Sequence, residues 1–353
     1  MNPFKFGTIV DGPFFTDREE EYETIVHKLD SENHLILISP RRYGKSSLVN
    51  KVLTNTSRPY IILDLQQALS TQGLAEMMLK AIFDLYPVEK IRHQLSHFRI
   101  FPTISTNAVL GTMEVSFAPA TNEAVILEDV IALLEKVSSP DKHLIVVLDE
   151  FQEILNIQKG LDRQLRALMQ RQKGINYIFM GSQESMMAEI FEDKKSPFYH
   201  FGTLMHLNRI PETIFKQYVF DRLPKECNKT PIVDAIFNFT HSHPYYTQQL
   251  SAQVWELVYW QHISENVVEQ AIQQQVQEHD LDYERIWNNL NRTDRGVISN
   301  IVKAKEILSN RLNPTSTIYS SLKRLLKSGI IVREQTYDIE DPFFKYWLVK
   351  YLK

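Results

Sequence analysis

A short apolar run, HLILIS (His34–Ser39), breaks into the loop Pro40-Arg41-Arg42-Tyr43-Gly44-Lys45-Ser46, and KSSLVNKVL (Lys45–Leu53) then takes up helical spacing. A run of this composition is a strand buried on both faces of a parallel sheet. A strand that turns into a helix through Gly-Lys-Ser confines the chain to the strand–loop–helix unit that cradles phosphate. The pattern for that loop is G-x-x-x-x-G-K-[ST], and Ser39 stands where its first glycine belongs. The position needs only a small residue, which serine is. Gly44 lets the backbone turn close to the phosphates, where a side chain would clash. Lys45 supplies a point charge for the β- and γ-phosphates, and Ser46 a hydroxyl for Mg²⁺. The amides at the helix start complete an anion cradle. Pro40, Arg41, Arg42, Tyr43, Gly44, Lys45, Ser46 and Ser47 are therefore the candidate nucleotide-binding stretch. A chance Gly-Lys-Ser is the simpler alternative, but strand and helix flank this loop on the correct sides.

A second motif follows about a hundred residues later. HLIVVLDEFQEI (His143–Ile154) is an apolar strand ending in Asp149-Glu150. Asp149 would hold Mg²⁺ through water, and Glu150 would polarise the attacking water as a general base. Two solvated acids at a strand end are common in isolation, and less so at this distance behind a phosphate loop.

Between and around the two motifs the apolar runs Tyr60–Leu65, Ile175–Ser182 and Thr203–Ile210 alternate with helical segments. Five such strands predict an α/β fold, a P-loop NTPase core with a five-stranded parallel sheet covered on both faces. The extra strand between loop and acid strand marks the ASCE branch, in which a catalytic Glu follows the Mg²⁺ Asp. Residues 98–120 break the alternation with two short β-type runs around Leu110-Gly111, read as a hairpin insertion. From Pro211 the pattern is helical. Three helical stretches, near Thr293–Lys303, Ala304–Ser309 and Ser316–Ser328, then precede the β-rich GIIVREQTYDIED, the order of a winged helix. The expected division is a core over 1–210, a helical lid over 211–289 and a winged-helix domain over 290–353, in keeping with a length of 353 residues.

Composition narrows the function classes. The net charge of −4 argues against a protein wholly dedicated to nucleic acid, but residues 290–353 carry twelve Lys+Arg against six Asp+Glu. Cys227 is the single cysteine, so no intrachain disulfide can form and a reducing compartment is expected. The first residues lack a signal-peptide pattern, and no apolar run approaches the roughly 20 residues of a membrane span. A cytoplasmic protein without a membrane partner is expected.

Together these motifs resemble the prokaryotic ATPase-domain family of STAND- and AAA+-related P-loop NTPases, found in archaea and bacteria, with a layout similar to archaeal origin-recognition proteins. PRRYGKSSL resembles the family's loop and DEFQEI its acid strand. FFTDREEEYETI (Phe14–Ile25) resembles its h-h-G-R-E-x-E element, with Asp17 where Gly is usual, and DPFFKYWL (Asp341–Leu348) resembles the ending after the winged helix. The resemblance implies ATP or ADP with Mg²⁺ as ligands and a stretch from Val10 to Arg18 beside the adenine. It also implies a polar γ-phosphate sensor at Ser182 or Gln183, and a lid motif at Ser242–Pro244 that brings Pro244 to the nucleotide. Nucleotide would sit between core and lid. No arginine lies from Gln183 to Asn208, where ring ATPases of this kind carry a finger. Arg163, Arg166, Arg171 and Arg209 remain candidate charge donors.

The leading expectation is a slow ATPase acting as a nucleotide-controlled switch, with the winged helix as output. One alternative is a DNA-binding regulator in which nucleotide is structural, using Lys323, Arg324 and Lys327 on the helix Ser316–Ser328. Those cations are expected to point away from an apolar face built by Ile318, Leu322 and Leu325. A further alternative is the ATPase subunit of a defence or mobile-element complex, with a protein partner that the sequence does not name. In either of the first two readings Lys45 is a ligand residue. Lys45→Ala should abolish measurable ATP binding with the fold kept. Calorimetric titration of the folded variant checks this, and tight binding would remove the assignment.

Overall fold

In the computed structural model the described residues are 1–352 apart from 32, 108–111, 119–121, 140–141, 264, 304–313 and 335. They fall into two compact units. One comprises Glu19–Ser39 and Leu48–Leu207, the other Met1–Arg18, Pro40–Ser47 and Asn208–Lys353.

The first unit is built on the apolar runs. They form β1 (Leu35–Ile38), β2 (Tyr60–Asp64), β5 (Leu144–Asp149), β6 (Ile175–Gly181) and β7 (Thr203–His206), with β3 (Thr103–Asn107) and β4 (Thr112–Ser116) as a separate antiparallel pair. The five long-range strands are parallel in the order β2-β5-β6-β1-β7. Every residue of β1 and β6 is buried, so both faces of the sheet are covered there. The edge strand β7 instead alternates between half-buried and exposed. The predicted insertion is thus a hairpin pairing Thr103 with Ser116, while its expected turn at Leu110-Gly111 lies outside the described residues.

Strand direction decides where chemistry can sit. In a parallel sheet the carboxyl ends of all strands open on one edge, where ligands bind. At the opposite edge a polar pin closes the sheet. The Arg58 guanidinium donates to Leu29 O, His143 O and the Asn176 side chain, and Asn176 donates to Ser31 O and Asn33 O. On one flank of the sheet an aromatic cluster forms the packing centre. Phe179 has Phe151 at 4.6 Å, Phe191 at 5.3 Å and Phe198 and Phe201 at 5.8 Å between ring centroids.

From Glu212 onward the second unit is mainly helical, with one short hairpin near its end. Helices Glu212–Arg222, Lys229–Thr240, Pro244–Gln261, Val267–Glu278 and Asp280–Asn289 are followed by Arg292–Val302 and Thr315–Lys327. Strands β8 (Ile331–Arg333) and β9 (Tyr337–Ile339) then pair antiparallel, and the helix Pro342–Tyr351 ends the described chain. The expected middle helix at Ala304–Ser309 lies outside the described residues. One apolar core runs through the unit, from Phe215 and Leu250 to Ile298, Leu322, Phe343 and Leu348. The helix Thr315–Lys327 buries Ile318, Leu322 and Leu325 as the spacing predicts. Arg324, however, is not a free solvated cation. Its guanidinium reaches the buried Asp294 at 2.7 Å, and the Ser321 hydroxyl donates to the same carboxylate. A buried carboxylate needs such partners, and Arg324 supplies one while its own side chain stays half exposed.

Phe179 is fully buried, so Phe179→Ala should cost about 3–5 kcal/mol of stability. Urea unfolding of the variant reads the loss. A change below about 1 kcal/mol would show that the aromatic cluster can collapse around the gap.

Candidate active site

The loop after β1 has the geometry of an anion cradle. Ser39 is fully buried and its amide donates to Gly181 O at 3.4 Å, continuing the β1–β6 ladder by one residue. Arg42 and Gly44 then take φ of +66° and +91° on either side of Tyr43. Such alternation turns successive N–H groups toward one concavity, and the helix Lys45–Asn55 starts there. A Cβ built on Gly44 would meet no atom of the protein within 4 Å. Within the protein, the glycine is therefore required by its backbone angle and not by crowding. Lys45 is buried, not exposed as a loop residue would be, and its ammonium donates to Pro40 O at 3.0 Å. Ser46 and Arg41 are exposed.

The N-terminal segment is fastened to this loop. Val10 N donates to Ser47 Oγ at 2.9 Å. Arg18, buried and in the left-handed region at φ +102°, donates to Asn208 O at 2.6 Å and Tyr43 O at 3.4 Å. Asp17 before it has φ +48°. That angle is why glycine suits the position, and aspartate is among the few residues that also tolerate it.

The side chains of Arg42 and Tyr43 lead to the C-terminal hairpin. Arg42 lies over the Tyr245 ring at 4.4 Å and donates to the Tyr246 hydroxyl at 3.1 Å. That hydroxyl donates to Glu340 Oε2 at 2.8 Å. Tyr43, whose phenol is pushed up to about 12 by burial, meets His243 edge-on at 4.9 Å. His243 caps the helix Pro244–Gln261: its Nδ1 accepts from Tyr246 N, so Nε2 carries the proton and donates to Glu340 Oε1 at 3.0 Å. Burial pulls this imidazole below its ordinary value, against the pull of Glu340, which favours the neutral ring. Pro244 is the first residue of that helix and buried, a position suited to its missing N–H. Arg209 donates to Glu334 Oε1 and to His241 O, both at 2.7 Å. Glu334 lies in the turn between β8 and β9 and Glu340 directly after β9. Next to it, Asp341 caps the last helix through Phe343 N and Phe344 N, and burial raises its carboxyl to about 6.

In the sheet-bearing unit the acids stand at the carboxyl edge. Asp149 ends β5, and its Oδ1 accepts from Glu150 N at 2.9 Å. Glu150 has φ +50°. Its Oε2 accepts from the Ser182 hydroxyl at 2.7 Å, from Ser182 N at 3.4 Å and from the Gln152 amide. Ser182 follows β6 directly, so Glu150 and Ser182, read separately from the sequence, form one hydrogen-bonded group. Two of the candidate charge donors are engaged elsewhere, Arg209 with Glu334 and Arg166 over Phe201 at 4.2 Å. Arg163 and Arg171 are exposed.

Three features escaped the sequence reading. Gln152 looked like part of an acidic strand end. Tyr245-Tyr246 were visible only as part of a helix start, and nothing local marks Glu340 as their partner. Ser46 offers a hydroxyl oxygen and Asp149, in the other unit, a carboxylate oxygen, each a donor of the kind a hard divalent ion takes. Among the described residues no group of three or more His, Cys, Asp or Glu could hold a metal by itself.

Known proteins bear on this arrangement. An uncharacterized protein of Methanocaldococcus jannaschii is 26% identical over 247 residues, covering 69% of this chain and 45% of that protein. The chain thus matches less than half the length of that curated relative. Among solved structures, a Walker-type ATPase of Pyrococcus abyssi has a TM-score of 0.69 at 17% identity, over 98% of this chain and 99% of the other. The ORC2 protein of Aeropyrum pernix, in ADPNP–ADP complexes, has a TM-score of 0.57 at 14% identity, over 98% and 96%. These likenesses show the fold, the predicted α/β P-loop ATPase fold with a five-stranded parallel sheet. Among the described residues no helix is long and apolar enough to cross a membrane. The family model for an ATPase domain predominantly from Archaea matches residues 15–250, and the chain belongs to that family of ATPases.

Proposed function

We propose that the protein is an Mg²⁺-dependent ATPase whose nucleotide state is passed to its C-terminal segment. The observation that carries this reading is the hydrogen-bonded path from Arg42 of the loop through Tyr246 to Glu340 beside the hairpin. A ligand that draws Arg42 toward phosphate would take a donor from that path. The interaction free energy would then differ between two arrangements of the hairpin, which is what a switch requires. The proposed division is a core over 1–210, a lid over 211–289 and a winged-helix output over 290–353.

In this reading the cradle from Pro40 to Ser47 binds the phosphates, and Lys45 leaves Pro40 O to neutralise their charge. Val10 and Arg18 hold the N-terminal segment beside the base, and Pro244 starts the lid helix. Ser46 and Asp149 would hold Mg²⁺, which supplies further charge neutralisation when bound. Glu150 takes a proton from the attacking water, and Ser182 senses the γ-phosphate. The donors to phosphate come from backbone amides and a few fixed side chains, so catalysis rests on positioning rather than covalent chemistry.

The excess of Lys and Arg over residues 290–353 supports a second reading, in which the output segment contacts the phosphates of duplex DNA. Lys323 and Lys327 are exposed and suited to it, whereas removing Arg324 would also unpair the buried Asp294. A protein partner is equally compatible with an output segment of this kind.

Glu150→Gln keeps size and hydrogen bonding while removing the base. It should retain Mg·ATP and lose turnover by about 10²–10⁴-fold. Steady-state phosphate release alongside calorimetric binding measures both, and wild-type turnover in the variant would contradict the mechanism.

A further inference from the structure

Gln152 is fully buried in the 3₁₀ turn Phe151–Glu153 that follows the acid strand. Its Nε2 donates to Glu150 Oε2, while its own Oε1 is buried without a hydrogen-bond partner. The orientation of the amide follows from this. Turned over, it would set its oxygen against a carboxylate oxygen and leave two N–H groups unmet. An amide with one end orphaned costs stability in a closed site, where Met or Leu would pack without that cost. The donor end therefore needs a reason, and its hydrogen bond among the described residues goes to the carboxylate of Glu150.

The sheet makes room for it. A Cβ on Gly181 of β6 would stand 2.7 Å from Gln152 Oε1 and 2.3 Å from Met187 Sδ. Only a residue without a side chain lets the amide and Met187 both close on β6 at this point. All three hydrogen bonds that reach the Glu150 carboxylate among the described residues end on Oε2. One oxygen is thus anchored from two sides, by the turn after β5 and by the residue after β6.

We propose that Gln152 is a positioning residue for ATP hydrolysis: seated against Gly181, it pins Oε2 of Glu150 so that Oε1 is the oxygen that receives the proton. The inference rests on Glu150 being the base. In the step it serves, a water O–H bond breaks and its proton passes to Glu150 Oε1. The water oxygen bonds to the γ-phosphorus, and the bond from that phosphorus to the ADP oxygen breaks. Because Glu150 sits at positive φ and its carboxylate is fixed by donors on one oxygen only, loss of the Gln152 amide leaves Ser182 as the single anchor and lets the carboxylate turn.

The test measures kcat, Mg·ATP affinity and melting temperature for the full chain as wild type, Gln152→Met, Gln152→Asn and Glu150→Gln. Met fills the slot without a donor, and Asn keeps the amide but falls one methylene short of Glu150. Both should lower kcat by about 10–100-fold, the effect of a misplaced catalytic group, with nucleotide affinity unchanged. If Met at 152 prevents folding, the Asn variant carries the same comparison. Wild-type kcat in a folded Gln152 variant while Glu150→Gln is slow would overturn the positioning role and leave the base in place. A kcat loss matched by an equal loss of nucleotide binding would overturn it too, as a general structural effect. Wild-type turnover in Glu150→Gln would remove the base and this inference together.

Discussion

The carboxylate of Glu340 is the constraint on which the C-terminal unit depends. Its side chain is only 12% exposed, and a carboxylate so placed must be met by donors. It is met on one oxygen by Tyr246 and on the other by His243. Both donors belong to the start of a single helix, and both also face the loop, Tyr246 by accepting from Arg42 and His243 by its contact with the Tyr43 ring. The neighbouring Asp341 is buried as well and is satisfied by the amides of the helix it caps. Two adjacent acids are thus kept out of water by two separate sets of donors. Only one of those sets passes through the loop. Arg42 of the loop is hydrogen-bonded into the Glu340 set through Tyr246, while burial keeps the His243 imidazole below its ordinary value.

At the carboxyl edge of the sheet the logic is different. There the constraint is the anchoring of one oxygen of Glu150 from two strands at once. β5 and β6 are hydrogen-bonded neighbours in parallel register, Leu148 opposite Phe179. The residue after β6 therefore arrives beside the residue after β5 without any long-range search. The turn Phe151–Glu153 folds Gln152 back over the same point. A carboxylate held in this way depends on how the two strands pack, and Phe179 of β6 meets Phe151 of the turn after β5 at 4.6 Å.

Much of this was legible in the sequence because parallel strands announce themselves. Runs such as IVVL and IFM are buried on both faces, so they appear as continuous apolar stretches with no competing helical period. The strand–loop–helix unit and the acid strand were readable for the same reason, whereas the hairpin insertion was read over residues 98–120 from two short β-type runs, and its strands are Thr103–Asn107 and Thr112–Ser116. What the sequence could not show was pairing at a distance. Nothing near Arg42 names Glu340, nearly 300 positions away, and nothing near Asp294 names Arg324. Spacing did predict the apolar face of the helix Thr315–Lys327, and it placed Arg324 on the solvent side. Arg324 stays half exposed there, with its guanidinium turned to the buried Asp294 of another helix. Gly44 was readable as a requirement but for another reason: its need is a backbone angle, which composition cannot distinguish from a need for space. Lys45, read as a ligand residue, is buried and folded onto its own loop, its ammonium donating to Pro40 O.

The central claim is that nucleotide at the loop is felt at the hairpin Ile331–Ile339 through Arg42, Tyr246 and Glu340. Backbone hydrogen exchange across residues 331–339, without nucleotide, with ADP and with Mg·ATP, tests it most directly. The account predicts that Mg·ATP changes protection of these amides relative to the nucleotide-free protein. It also predicts that the change disappears in Glu340→Gln at saturating nucleotide. Saturated binding with no change in the hairpin, or the same change with Glu340 replaced, would contradict it.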